Sequence, residues 1–257
     1  HDHMSTYQGD FERLTDTFLK FVHNLPFYGL AVLCADDPAV QRMRARILRP
    51  VVSYGIETPA DYNAVNVTQS GSRMQFDTTT ADGEVFSVDL ALPGLHNVRN
   101  ALAAIAVADK VGIKTQAIVN GLRKFSGIDR RFEILGDIRL PDGKALLVDD
   151  YAHHPTEIAA TLSAAKGCWP DRRKVIVFQP HRFSRTRDLM DDFSSLLSDV
   201  DCLLVTEVYA AGEKPAASAD GRALCRSIRV RGGVDPVFAP NIDRLRETLL
   251  PLLQADD

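Results

Sequence analysis

Residues 144–155 read KALLVDDYAHHP, and this stretch decides the fold class. Residues 145–148 form a short apolar run that reads as a buried strand. The run stops at Asp149, Asp150, Tyr151, His153 and His154, after which Pro155 opens an apolar-periodic segment over 156–166. Polar side chains gathered between the carboxyl end of a strand and the amino end of a helix are where open α/β sheets build their sites. The plain alternative is that the two aspartates cap the helix and shape the turn while the histidines are solvated. So many polar groups in succession at this position weigh toward a site.

Working outward, the same alternation recurs on the carboxy-terminal side. Apolar runs at 174–178, 202–206 and 236–239 read as strands, and 187–199, 220–230 and 241–253 read as helices. Each strand is short and unalternating, as expected when both faces are covered in a parallel sheet. Ser126-Gly127-Ile128 marks the expected domain boundary, dividing 1–127 from 128–257. Upstream, Leu14, Phe18, Leu19, Phe21 and Val22 recur at helical spacing over 11–24, and Pro26 ends that helix. Strands at 30–35 and 51–55 flank a helix at 39–48, again βα alternation. Residues 62–92 change to Thr- and Val-rich alternation around Ala81-Asp82-Gly83, a hairpin turn. Pro93-Gly94 breaks the chain before helices at 98–111 and 115–125.

The 257 residues, 45% hydrophobic and 25% charged, are those of a globular α/β chain with a sizeable core. A net charge of −4 gives no sign of a nucleic-acid surface, and no apolar run is long enough to cross a bilayer. Cys34, Cys168, Cys202 and Cys225 lie far apart with no CxxC pair, which points to reduced thiols in a cytoplasm. GxxxxGK[ST], GxGxxG and GxSxG are all absent, so the chain carries no P-loop and no hydrolase nucleophile elbow. The opening HDHM and the break after a final helix read as a fragment of a longer chain.

Four further clusters carry chemistry. QPHRFSRTRD at 179–188 follows an apolar strand and places His181, Arg182, Arg185 and Arg187 just before the expected helix. Cations there oppose the helix dipole and call for an anion such as a carboxylate or phosphate. A solvated basic turn, or pairing with Asp188, Asp191 and Asp192, stands equally open on these grounds. In PGLHNVRNALAA at 93–104, Asn97 is a plausible N-cap, and Asn100 is a natural partner for a base edge. His1-Asp2-His3 offers imidazole ligands for a metal, or is simply a solvated chain end. GIDRRFE at 127–133 completes the set.

Taken in order, DHMSTYQGDF, HNLPFYG, LPGLHNVRNALAA, GIDRRFE, VDDYAHHPTE, FQPHRFSRTRDL and EVYAAGE resemble the Mur ligases over essentially the whole chain. The resemblance implies the later part of a P-loop-type central ATP-binding domain followed by most of a Rossmann-like carboxy-terminal domain. It implies an ATP- and Mg²⁺-dependent amide synthesis in peptidoglycan precursor formation. In that reaction UDP-N-acetylmuramate, activated as an acyl phosphate, receives L-alanine. His3 matches the magnesium ligand of the family. His96, Asn97 and Asn100 match adenine-side contacts, Arg131 an arginine reaching the nucleotide, and Asp150 the ribose ligand. Tyr151 and His153 match positions near the incoming amino acid, and Arg182 and Arg185 those holding its carboxylate, which turns the open reading of the arginines toward a ligand. His153, Arg182 and Arg185 are the expected catalytic set. Ala152 replaces an expected glycine and Ala210 a usual proline, which puts the width of the amino-acid pocket in question. A recycling ligase that attaches a preformed peptide to the same sugar nucleotide is the nearest alternative, and a non-catalytic nucleotide- or partner-binding module is another. Without a P-loop, this polypeptide alone is expected to be inactive.

Overall fold

Asp10, itself extended after a 3-10 turn (Met4–Tyr7), starts a helix: its Oδ1 accepts the amides of Glu12 and Arg13, and α1 runs Phe11–His23. Asp37 does the same for α2 (Pro38–Arg44) through Ala39 and Val40, with proline at the first helical position where no amide is needed. The structure, a computed structural model, describes residues 4–216 and 218–257. They fall into two compact units. One runs to Gly127 and includes Ser163–Cys168; the other comprises Ile128–Leu162 and Trp169–Asp257.

In the first unit β1 (Ala31–Cys34), β2 (Val51–Gly55), β3 (Tyr62–Ser70), β4 (Arg73–Thr79) and β5 (Val85–Leu90) lie in that order in one sheet. The first three strands are parallel, and β3, β4 and β5 pair antiparallel. The hairpin expected around 81–83 is the β4–β5 turn, where Thr80 N donates to Glu84 O. Helices α3 (Leu95–Lys110) and α4 (Thr115–Lys124) close the core, in which Tyr62, Val98, Leu102, Ile105 and Ala106 are fully buried. At the end of β1, the Asp36 carboxylate accepts the amides of Ile56, Glu57 and Thr58 and pairs with Arg99 at 2.8 Å. Burial opposes the charge there, but Arg99 and the three amides outweigh it and hold the Asp36 carboxyl below its ordinary range.

The second unit departs from expectation at its first strand. β6 (Glu133–Leu140) and β7 (Gly143–Asp149) form a two-stranded antiparallel hairpin. Of the KALLV run only Ala145 is buried, and Leu147 is 40% exposed. The apolar run is therefore a half-covered hairpin strand, because periodicity cannot report which neighbour a short apolar strand finds. Its other edge meets the last residues, with Leu146 N donating to Asp257 O at 2.9 Å and Asp256 N to Lys144 O at 2.8 Å.

After α5 (Pro155–Cys168) comes the parallel sheet of β8 (Val175–Phe178), β9 (Cys202–Thr206) and β10 (Val237–Ala239), ordered β10-β9-β8. β9 is central and nearly all buried, whereas Val177 of β8 is 40% exposed, so full coverage of every strand does not hold. The helix expected at 187–199 is two: α6 (Phe183–Asp188) and α7 (Met190–Leu197), interrupted at Leu189. The expected helix at 241–253 is also broken, into a short α9 (Leu245–Leu249) between 3-10 turns, with Pro251 in the last turn. Phe178, Phe193, Leu197, Leu203, Val205, Leu224 and Ile228 make the core with α8 (Gly221–Arg231). Among the described residues no helix is long and apolar enough to cross a membrane.

α8 approaches the end of β9 closely. Gly221 N donates to Glu207 Oε1 at 3.0 Å, and a Cβ on Gly221 would lie 2.3 Å from Thr206 O and 2.7 Å from the Phe238 ring. Gly221→Ala is therefore expected to lower stability by about 1–3 kcal/mol through overpacking, measured by urea unfolding. An unchanged midpoint would refute this close approach.

Candidate functional site

In the first unit, the sequence-expected residues His96, Asn97 and Asn100 lie in the first turns of α3. The helix starts at Leu95, three residues earlier than expected, and its N-cap is Gly94 at φ 93°, not Asn97. Asn97 Nδ2 donates instead to Pro93 O at 2.7 Å, tying the first turn back to the preceding loop and leaving its side-chain oxygen as an acceptor. The His96 ring lies over Gly94, where a Cβ would come within 2.8 Å of Cε1 and 2.9 Å of Nδ1. Glycine is thus favoured here by both backbone and space. His96 and Asn100, four apart, share a helix face with Asn97, three from Asn100. Asn100 is exposed, while Val98, Ala101 and Leu102 face the core.

In the second unit, the chain after β7 is stapled to residues 130–132. Asp150 Oδ2 accepts Phe132 N at 2.9 Å and Oδ1 accepts Ala152 N at 2.7 Å, while Tyr151 N donates to Arg130 O at 2.7 Å. Arg130 and Phe132 sit at φ 58° and 51° on either side of Arg131. The Phe132 ring is buried and stacks on Trp169 at 5.9 Å. Both Asp150 oxygens already hold an amide, but a carboxylate has further lone pairs, so it still accepts from a ligand hydroxyl.

The Tyr151 ring lies beneath two guanidinium groups, with Arg130 4.8 Å and Arg131 5.9 Å from its centroid. Tyr151 also begins a column of neighbouring rings. Tyr151 and His153 are 5.2 Å apart, His153 and His181 5.2 Å, and His181 and Tyr209 5.3 Å. Two parallel backbone contacts set the far end: Arg182 N donates to Tyr209 O at 2.9 Å and Tyr209 N to Pro180 O at 2.8 Å. Arg185 is buried at 8% exposure, with Nη1 3.3 Å from His181 Nδ1. Burial, then the charges of His153, Arg185 and Arg182, lower the His181 imidazole pKa against the opposing pull of Glu213.

The arginines are placed differently from the sequence expectation. Arg182 is the N-cap of α6 at φ 70°, Arg185 lies within that helix, and Arg187 pairs with Asp188 at 2.8 Å. α6 spans six residues, so its dipole is a small term, and the argument for an anion rests on the two cations beside the ring column.

Three carboxylates that sequence reasoning did not single out organise this region. Glu157 Oε2 accepts the amides of His153 and His154 at 3.0 and 3.2 Å, capping α5, and Oε1 lies 3.8 Å from Arg131. Glu213 accepts Ser184 N at 2.9 Å and Ser184 Oγ at 2.6 Å. Glu207 holds Val208 N and Gly221 N. The signal for Glu157 was the capping spacing before an apolar run, and for Glu207 and Glu213 the EVYAAGE segment. His3, the expected metal ligand, lies outside the described residues. Among the described residues no cluster of three His, Cys, Asp or Glu side chains has metal-binding geometry.

Comparison with known proteins finds two family matches. Residues 1–108 match the Mur ligase middle domain, and residues 130–257 match the Mur ligase, glutamate ligase domain. A curated UDP-N-acetylmuramate–L-alanine ligase from Halorhodospira halophila is 54% identical over 256 residues, covering 100% of this chain and 53% of that protein. The crystal structure of a UDP-N-acetylmuramate–alanine ligase from Thermotoga maritima superimposes with a TM-score of 0.75 at 27% identity, over 99% of this chain and 52% of that one. A murein peptide ligase from Psychrobacter arcticus gives a TM-score of 0.68 at 26% identity, over 96% and 50%. The chain thus spans about half the length of these relatives.

Two outcomes follow from the local geometry. Arg182→Gly removes backbone strain at a left-handed position, so stability is expected to rise by about 1 kcal/mol in denaturant unfolding; a fall would show that the guanidinium stabilises more than the strain costs. For Glu213, burial alone would raise the carboxyl, but the Ser184 hydroxyl and amide and the Arg182 charge outweigh it and hold it below the ordinary 4.5. A depressed folded-state value means stability present above pH 4.5 and lost as pH falls through the folded value. The stability gap between wild type and Glu213→Gln should therefore be constant above that pH and close below it, and a gap that widens in acid would contradict the assignment.

Proposed function

This chain belongs to the Mur ligase family, and we propose that it forms part of the ATP-dependent ligase that adds L-alanine to UDP-N-acetylmuramate in peptidoglycan precursor synthesis. The geometric observation that carries this reading is the ring column Tyr151–His153–His181–Tyr209 with Arg182 and buried Arg185 beside it. Two guanidinium groups next to planar, half-buried rings suit a small zwitterion whose carboxylate needs paired donors. The 54% identity along the whole chain to a named alanine-adding ligase supports the same substrate.

In this reading residues 1–127 are the later part of the central ATP-binding domain and 128–257 most of the carboxy-terminal domain. The division into units near Gly127 supports that boundary. His96, Asn97 and Asn100 would meet the adenine side of ATP, Asp150 its ribose hydroxyls, and Arg131 would reach the nucleotide. Mg²⁺ would be held by His3 together with phosphate oxygens. Magnesium takes mostly oxygen ligands and keeps waters, so phosphate oxygens and water would supply most of its shell and a histidine at most one position. When bound, it neutralises phosphate charge during phosphoryl transfer. Tyr151 and His153 line the amino-acid side. The reaction belongs in the cytoplasm, which the four unpaired cysteines fit.

The peptide-adding recycling ligase remains the second reading, favoured by Ala152 and by the likeness to the murein peptide ligase. Competing L-alanine against a tripeptide on the enzyme that carries this chain together with a P-loop domain separates the two. ADP release that depends on alanine supports the proposal, and activity with peptide alone refutes it.

If Arg182 and Arg185 hold the carboxylate, replacing either with alanine should raise the KM for L-alanine by ten-fold or more, about 1.4 kcal/mol, with the KM for ATP little changed. Equal rises in both constants would count against the carboxylate role.

A further inference from the structure

His153 and His181 face each other across 5.2 Å, yet each is fixed by a partner of opposite character. His153 Nδ1 lies 2.8 Å from the Tyr151 carbonyl oxygen. A carbonyl only accepts, so neutral His153 carries its proton on Nδ1 and leaves Nε2 with a bare lone pair. Glu157 Oε2, 3.7 Å from the same Nδ1, favours that arrangement. His181 Nδ1 lies 3.3 Å from Arg185 Nη1. A guanidinium only donates, so His181 Nδ1 is bare and neutral His181 carries its proton on Nε2.

We propose that these opposite tautomers divide the handling of one α-amino acid, with His153 Nε2 the base for its ammonium group and His181 Nε2–H a donor to its carboxylate. The assignment rests on the ligase reading above and adds the proton route to it. The ammonium form of alanine cannot attack, because its nitrogen has no lone pair. His153 Nε2 takes one proton, and the freed amine forms the C–N bond at the acyl phosphate carbonyl carbon. As the tetrahedral adduct collapses, the bond from carbon to the phosphoryl oxygen breaks and phosphate leaves with its electron pair. The second proton on nitrogen goes to that phosphate, and the imidazolium proton goes to solvent. Amide, phosphate and one released proton balance the acyl phosphate and the ammonium.

His181 is unsuited to the base role. Arg185 occupies its only lone pair, and burial, any proton taken up by His153, and the Arg185 and Arg182 charges disfavour its imidazolium form, against Glu213. His153 has a carboxylate, Glu157, in the first turn of the helix that follows it, the Tyr151 carbonyl before it and neutral His181 across from it. Arg131 lies 3.8 Å from the other oxygen of Glu157.

The test has two parts on the enzyme that carries this chain. In the unliganded wild-type protein, long-range ¹H–¹⁵N correlation at neutral pH should show His153 protonated on Nδ1 and His181 on Nε2. Either ring in the other tautomer overturns the proposal. In kinetics, His153→Asn keeps an amide in place of Nδ1–H and removes the outward base. It should lower kcat by about 10²–10⁴-fold, flatten the acid limb of the pH–rate profile and leave the KM for alanine within a few-fold. His181→Gln, which places an N–H where Nε2–H stood, should recover most of the alanine KM lost in His181→Asn. A His153→Asn enzyme with wild-type kcat and an unchanged acid limb refutes the base. Absence of any alanine-dependent turnover in the wild type would instead overturn the ligase reading itself, so the two failures are distinct.

Discussion

The candidate site depends on one carboxylate, Asp150, which joins two segments that sequence order keeps apart. One oxygen holds Phe132 N and the other holds Ala152 N, so residues 130–132 and the turn after β7 are set by the same side chain. Hydrogen bonds to a charged acceptor are stronger than neutral ones, and two on one group fix both position and direction. With that staple in place, Tyr151 has only one direction to face, under Arg130 and Arg131, and His153 follows two residues on. Without it, the half-exposed β6–β7 hairpin offers little packing to hold Tyr151, since a two-stranded hairpin is marginal by itself.

The electrostatics around the ring column follow the same economy. Arg131, Arg182 and Arg185 bring positive charge, and each meets a group that keeps it oriented: Glu157 near Arg131, Glu213 near Arg182, and His181 against Arg185. The ion pair at the rim, Arg130 with Asp149 at 3.1 Å, is largely exposed and contributes little. The buried contact carries more weight, because Arg185 at 8% exposure needs acceptors from the protein or from a ligand. In the first unit Asp36 plays a comparable part by holding three amides and Arg99, the residue next to Asn100.

Much of this was legible in the sequence, for definable reasons. Strand β2 and the α4 start were placed where they are because Pro, Gly and charged breaks bound them closely. The motif residues of the second unit converge because they sit on turns at strand ends, where α/β sheets gather side chains. What escaped was whatever depends on partners distant in sequence. KALLV looked buried because apolar content does not say whether a strand will pair in a large sheet or a hairpin. α3 began three residues early because Gly94 at φ 93° caps it through backbone geometry alone, with no side chain to announce it. Glu213 and Tyr209 stayed unread because their partners, Ser184 in α6 and His181 just before it, are distant in sequence.

Three non-glycine residues of the candidate site, Arg130, Phe132 and Arg182, occupy positive φ, where a side chain costs conformational energy. Sequence alone would place glycine or asparagine at such positions. Their presence implies that each side chain has work that glycine cannot do. Phe132 fills its cost by burying a ring against Trp169. Arg130 does so through Tyr151, and Arg182 through its charge beside Glu213 while its backbone amide meets Tyr209. Strain kept at three residues around one set of rings shows that side-chain placement, not backbone preference, sets the sequence there.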